Sequence, residues 1–363
     1  MKGQPVEVKV GDYILPVSPD AWGVSLYFDD EEDAIFEVNM PDDIEPGVYD
    51  VALHWPGADL PLPKKIRILP LKAEEEATIP FTEFHDQPYN AKAAFRIGDK
   101  MYYYTKSETN LLVSCDLNTK AWTKHKYVPY DITEMVAVGF KAYGITEVYT
   151  WLDAEADDYL VQNALYEYDS TTDSWKKLSD LPVKEGVANM KMFAAGGHVY
   201  VCGGYYFNTN QQCMETWKYN ISTGEWTKVA DRPTKQVVIQ TGNGEANGYF
   251  MTPEGHLWVY DSSKDVWNKE AQLTSVYDTT NQNQCLLEYD DKLFYAGNNE
   301  NSAIFCYDFK TRKWELLGLY DNRIIGPSIL PATFHNDKLI LGPVLEYTES
   351  IATNMLFLNF DIK

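Results

Sequence analysis

Apolar and polar residues alternate over short stretches of this sequence, and turn-forming residues cut the stretches at close intervals. In Met214-Glu215-Thr216-Trp217-Lys218-Tyr219 the alternation sets Trp217 and Tyr219 on one face of an extended strand, because successive strand side chains point to opposite sides. Leu165-Tyr166-Glu167-Tyr168 and Leu257-Trp258-Val259-Tyr260 read as further strands of the same kind. Upstream lie hairpins such as Met192-Phe193-Ala194-Ala195 and His198-Val199-Tyr200-Val201, joined by Gly196-Gly197. The pattern predicts an all-β chain.

The strands recur as a unit. An Asp or Asn stands six residues ahead of a Trp five times: Asp116 and Trp122, Asp169 and Trp175, Asn220 and Trp226, Asp261 and Trp267, Asp308 and Trp314. These side chains start tight turns by bonding to backbone two residues on. Thr119, Thr172, Thr223 and Thr311 follow three positions later, Lys264 being the exception, and a Tyr precedes the turn in every copy but one, where Cys115 stands. Successive Trp are 53, 51, 41 and 47 residues apart. That period suits propeller blades of four strands each. The repeated Trp and Tyr then read as wedges between blades and not as ligand contacts.

These residues resemble the kelch family, whose repeat joins a glycine pair, a Tyr-Asp turn and a Trp-led fourth strand. The glycine pair is complete only at Gly203-Gly204; Leu152-Asp153, Gly297-Asn298 and Pro343-Val344 replace it elsewhere. The resemblance covers residues 77–363 and implies a six-bladed kelch-type β-propeller. Five repeats run from about 90 to 319, and a sixth ends at Phe360-Asp361 without a Trp strand. The apolar Ala77-Thr78-Ile79-Pro80-Phe81 is expected to supply that strand (about 77–84), closing the ring and removing an exposed edge. Residues 71–76 read as a linker.

Residues 1–70 show short apolar stretches at 6–10, 24–28, 35–38, 48–53 and 65–69, punctuated by Pro46-Gly47 and Pro56-Gly57. Their spacing predicts a small immunoglobulin-like β-sandwich. The segment 38–51 resembles the later half of an IPT/TIG domain. Such a module ahead of a propeller resembles exported or surface-anchored bacterial proteins, many of which handle glycans. The resemblance implies a periplasmic or cell-surface location, with the export signal or a lipid anchor upstream of Met1-Lys2-Gly3-Gln4-Pro5, which holds no apolar targeting segment.

Charge narrows the partners. The 363 residues carry a formal charge of −23, which repels phosphate backbones and anionic lipid and excludes nucleic acid and membrane surfaces. No apolar run approaches the roughly 18–20 residues of a membrane helix. A carbohydrate or an extracellular protein remains as the expected partner. The five Cys form no CxxC pair. Cys115 and Cys306 read as buried thiols, while Cys202 and Cys213 flank one hairpin loop and either pair or stay free. The acidic run 29–33 reads as a solvated loop. No P-loop, nucleophile elbow or zinc motif occurs, and the six His are scattered singly. The copper site of the kelch-group galactose oxidase needs two His that this chain does not bring together, so no cofactor is expected.

The remaining chemistry falls on one face of the expected propeller, in loops between second and third strands and between blades. Trp151, Asp153, Asp157 and Asp158 stand in a long acidic insertion; Tyr205-Tyr206, Asn298 and Tyr347 occupy equivalent loops. Lys184, Glu185, Arg232, Tyr277, Asp278 and Arg323 fall between blades. The expected ligand-binding set is Trp151, Asp153, Tyr205, Tyr206, Arg232, Asn298, Arg323 and Tyr347. Trp151 and Tyr206 would stack on sugar rings, and Arg232 and Arg323 would grip an anion. The leading expectation is a non-catalytic exported protein binding carbohydrate or a protein. One alternative is a metal-independent sugar epimerase or mutarotase, resembling the six-bladed N-acetylneuraminate epimerase; another is a structural adhesion module. A deep polar pocket with converging cation and carboxylate would favour the enzyme, and a shallow aromatic shelf the binding protein.

Overall fold

The computed structural model describes residues 7–17, 24–26, 36–38, 40–41, 43–71, 73–80, 91–106, 110–153, 158–274, 284–297, 302–320, 330–348 and 351–362. Every regular element among them is a β-strand, and no helix there is long and apolar enough to cross a membrane. The chain divides into two compact units, Met1–Pro70 and Leu71–Lys363.

The first unit holds an antiparallel sheet in the order Tyr13–Pro16, Glu7–Val10, Gly47–Trp55, Ala58–Ile68, with a separate pair Val24–Leu26 and Phe36–Val38. Val8, Val10, Leu15, Val38, Ile44 and Val51 form its core. Two features differ from expectation. Tyr13-Ile14-Leu15-Pro16 pairs as a strand although its apolar run shows no alternation. The last strand begins at Ala58, not 65, because Pro56-Gly57 is a two-residue hairpin turn with Gly57 at φ 91°. Pro61 and Pro63 are tolerated in it because it is an edge strand.

Among the described residues the second unit holds six four-stranded antiparallel modules and one small three-stranded sheet. Module one is Ala91–Ile97, Lys100–Thr105, Leu111–Asp116 and Trp122–Lys124; module two is Ile132–Val138, Lys141–Asp153, Asp158–Asp169 and Ser174–Asp180. Module three is Lys191–Ala195, His198–Cys202, Thr216–Asn220 and Glu225–Val229. Module four is Gln240–Asn243, Asn247–Met251, His256–Asp261 and Val266–Gln272, bridged in parallel through Asn243 and Leu287 to module five. Module five is Gln284–Tyr289, Lys292–Gly297, Ala303–Asp308 and Lys313–Leu319. Module six takes Ala332–His335, Lys338–Thr348 and Ile351–Asp361 from the end of the chain and Ala73–Pro80 from before module one.

That last strand corrects the expected linker at 71–76. Glu74, Glu75 and Glu76 pair with Asn359, Leu358 and Phe357. An outer strand keeps one edge in water, so charges are tolerated there, and composition alone reads as linker. Leu71 is buried as well, its amide donating to the Leu317 carbonyl at 2.9 Å.

The repeated turn has one geometry throughout. The side chains of Asp116, Asp169, Asn220, Asp261 and Asp308 each accept from the backbone amide two residues on, at 2.7–3.0 Å. The residue four positions after each turn-starter is left-handed: Lys120, Asp173, Gly224, Asp265 and Arg312, with φ between 48° and 75°. Asp173 and Asp265 use their carboxylates to accept the Tyr168 and Tyr260 hydroxyls at 2.9 and 2.7 Å. The returning Trp packs on the Tyr before the turn, with ring centres 4.9–5.2 Å apart in modules two to five. Core clusters lie between neighbouring modules; Phe95, Tyr102 and Leu112 of module one, for example, join Ile132, Met135 and Tyr168 of module two. All five cysteines are buried and none forms a disulfide, so Cys202 and Cys213 are not bridged. Burial pushes the Cys202 and Cys285 thiols up to about 12, which leaves them poor nucleophiles.

Candidate functional site

The first strands of all six modules contribute residues to one cavity of about 630 Å³. Residues near the starts of these strands line the cavity. Five of the six place a polar side chain there: Lys92, Glu134, Lys191, Gln240 and Gln284. Met101, Met135, Met192, Ile239, Leu286 and Leu330 add apolar surface to the same wall. Glu134 of module two and Lys191 of module three form an ion pair, each side chain 24% exposed. An acid and a base are thus held in contact, partly out of water, on a polar cavity rim.

A small three-stranded sheet, Val187–Ala188, Tyr205–Tyr206 and Gln211–Gln212, builds part of that rim. It brings Asn189, Tyr205 and Gln212 to the cavity. Adjacent strand residues point oppositely, so Tyr206 turns away into the core beside Val187 and Cys213; burial raises its hydroxyl pKa. Of the two tyrosines expected at the site, Tyr205 lines the cavity and Tyr206 does not.

Arg232 also departs from expectation. It is 2% exposed. Its Nε and Nη2 donate to the Cys213 carbonyl at 3.1 and 2.9 Å, and Nη1 donates to the Gln236 carbonyl at 2.7 Å. A guanidinium spent on backbone carbonyls stitches the 212–213 and 236–239 segments of the wall together and does not grip a ligand. Trp151, Asp153 and Tyr347 stand in strands, paired with Tyr159, Asp158 and Ala352, and their side chains lie outside the described residues. Asn298, Arg323, Asp157, Tyr277, Asp278 and the 29–33 run lie outside the described residues altogether. Lys184 and Glu185 are exposed ahead of the rim and do not line the cavity.

Sequence reading passed over Glu134, Lys191, Asn189 and Glu147. Glu147 lies in the second strand of module two, where burial raises its carboxyl above the ordinary value of 4.5, and Glu134 nearby adds to the rise. The penalty for charging it is absent below the unfolded pKa and grows as pH rises through the folded one. Glu147→Gln keeps the acceptor used by the Tyr149 hydroxyl and removes the charge. It is expected to stabilise the protein at about pH 8 relative to wild type, with the gain shrinking towards about pH 5; thermal unfolding at both pH values checks it.

Comparison with known proteins bears on this geometry. A model of the Kelch motif matches residues 187–233, the stretch that runs from the rim sheet through the outer strand of module three. No curated protein matches the chain. Among solved structures, "Structure of YjhT" matches at 17% identity with a TM-score of 0.56, covering 78% of this chain and 95% of that one. The larger unit is a kelch-type β-propeller. At 17% identity the match to YjhT shows the fold alone; the expectation of a non-catalytic binding protein is not kept, because the cavity brings charged side chains together where a binding shelf would be shallow and aromatic.

Proposed function

We propose that the propeller is a metal-independent sugar epimerase or mutarotase acting at the anomeric carbon of a small sugar acid. The observation that carries this reading is the Glu134–Lys191 pair on the cavity rim. In the reaction, Glu134 takes the proton of the anomeric hydroxyl while Lys191 gives a proton to the ring oxygen. The bond between the anomeric carbon and the ring oxygen breaks, leaving an open-chain carbonyl. Rotation presents its other face, and ring closure reverses both proton transfers, so each side chain ends as it began. The two groups touch each other before substrate arrives and need only part around it.

Charge supports an acidic sugar. The described lining carries two lysines, Lys92 and Lys191, against one carboxylate, Glu134, hence 2 − 1 = +1. A local positive excess in a chain of formal charge −23 favours a carboxylate ligand by electrostatic focusing. The donor set, a single carboxylate among amides, two hydroxyls, one thiol and two ammonium groups, is ill suited to a hard cation. N-acetylneuraminate is the first substrate to test, on the resemblance noted for the six-bladed kelch epimerases. The same reading takes the six modules as blades of one closed ring, the first unit as an immunoglobulin-like domain of the IPT/TIG kind, and the protein as exported.

The test is NMR exchange spectroscopy of N-acetylneuraminate, glucuronate and galacturonate anomers with the purified chain. Exchange well above the buffer rate for one of them is the expected result; no acceleration for any would sink the proposal. Tyr205→Ala is expected to raise KM about tenfold with a smaller change in kcat, because a stacking surface binds ground and transition states alike.

A further inference from the structure

The wall segment that carries Asn189 is gripped from three sides. Asn163 of module two, 4% exposed, accepts from the Val187 amide at 3.0 Å and donates to the Val187 carbonyl at 2.8 Å. Gly186 lies so close to module two that a Cβ there would stand 2.1 Å from the Val161 carbonyl oxygen. On the other side, a Cβ on Gly204 would stand 2.3 Å from the Ala188 oxygen. Glu147, 9% exposed, lies beside the Asn189 and Met190 amides and accepts from the Tyr149 hydroxyl at 3.1 Å through Oε2. Its other oxygen, Oε1, is buried with no hydrogen-bond partner among the described residues.

What this scaffold presents is a single residue. Ala188 and Met190 are each 1% exposed, whereas Asn189 between them is exposed and lines the cavity. Its backbone is left-handed, at φ 56°. Asn tolerates that conformation better than most residues, yet it remains uncommon outside turns and sites. The Asn189 side-chain amide makes no hydrogen bond to the described residues. Buried polar groups therefore hold a left-handed, exposed residue in the cavity lining, as a preorganised ligand contact requires.

We propose that Asn189 is a substrate-binding, specificity-determining residue of the cavity, with Asn163 and Glu147 as its positioning residues. The proposal rests on the sugar-acid reading above. A carboxamide offers donors and an acceptor in one plane, which fits a pair of neighbouring sugar hydroxyls and penalises an analogue that lacks one by leaving a polar group unpaired. Asn163 and Glu147 touch backbone or lie behind the wall, so they act through Asn189.

Two measurements test it, each on the full chain. The first titrates wild type with N-acetylneuraminate, glucuronate and galacturonate and follows the Asn189 side-chain amide by ¹⁵N NMR, assigned by its loss in Asn189→Ala. The second measures anomer exchange for whichever sugar is turned over, and for its deoxy analogues. The expected result is a saturable shift at Asn189 and a KM raised about 10–100-fold in Asn189→Ala, with kcat changed less and the preference over deoxy analogues flattened. Glu147→Ala should raise KM similarly, Glu147→Gln should restore it, and the Asn189→Ala/Glu147→Ala double variant should lose no more than Asn189→Ala alone. Turnover by wild type with unchanged KM in Asn189→Ala would overturn the assignment and leave the reaction standing. Binding that shifts Asn189 without turnover would keep the assignment and sink the reaction. Additive losses in the double variant would overturn the positioning role, and neither binding nor turnover would sink both proposals.

Discussion

Glu134→Gln is expected to slow anomer exchange by a factor of about 10²–10⁴ while changing KM little. The amide keeps the volume and one acceptor of the carboxylate but cannot take a proton, so binding survives and the transition state loses its base. Lys191→Met, which removes the acid, should cost a similar factor. The two act on one concerted transfer, so the double variant should be hardly slower than the worse single one. The pair bridges the first strands of modules two and three with each side chain 24% exposed, and an ion pair at such a site adds only about 1 kcal/mol or less to stability. Unfolding temperatures close to wild type would therefore accompany the rate loss. Exchange measured at saturating sugar separates the outcomes: a kcat within about threefold of wild type in Glu134→Gln would remove this pair from the chemistry.

The fold was more legible in the sequence than the site, for a physical reason. Turn and wedge residues repeat because every module needs the same ones. Asp116, Asp169, Asn220, Asp261 and Asp308 solve one local problem five times, so their spacing stands out from a single chain. The cavity residues do not repeat. Glu134, Lys191, Gln240 and Gln284 take matching places near the starts of inner strands, yet each differs in chemistry because the ligand surface is not symmetric. A signal was present nonetheless: a charged residue stands at the head of an otherwise apolar first strand, as in Lys191-Met192-Phe193-Ala194-Ala195. Attention to long polar loops misses it, since a propeller's centre is lined by strands. Arg232 shows the opposite error. Its place between modules reads as exposed, but the chain folds back over it and uses its donors to close the wall. Tyr205 and Tyr206 could be told apart only once the rim strand fixed which of the two faced inward.

Trp267→Ala is expected to destabilise the propeller by about 3–5 kcal/mol. The indole is 8% exposed and reaches across a module boundary, with ring centres 5.8 Å from Phe193 of module three and 4.9 Å from both Phe250 and Tyr260 of module four. Its Nε1 donates to the Ala230 carbonyl at 3.1 Å, on the segment joining the two modules. Truncation therefore opens a large cavity between sheets and strips a carbonyl of its donor, and the two costs add. Trp314 is a useful contrast. It packs on Tyr307 at 5.2 Å, but its Nε1 is buried without a partner among the described residues, so Trp314→Ala removes packing and no such bond. Sheets in this arrangement are buried mainly against their neighbours, so loosening one boundary weakens the ring as a whole. A fall in unfolding temperature of roughly 6–10 °C, at about 2 °C per kcal/mol for a unit of this size, is the expected reading for Trp267→Ala. Trp314→Ala should fall less. The surviving folded fraction should keep the wild-type KM, because the wedge lies at the outer strand and the cavity at the inner one. Equal losses in the two variants would mean that ring packing alone sets the strength of these boundaries and that the Ala230 bond adds nothing net.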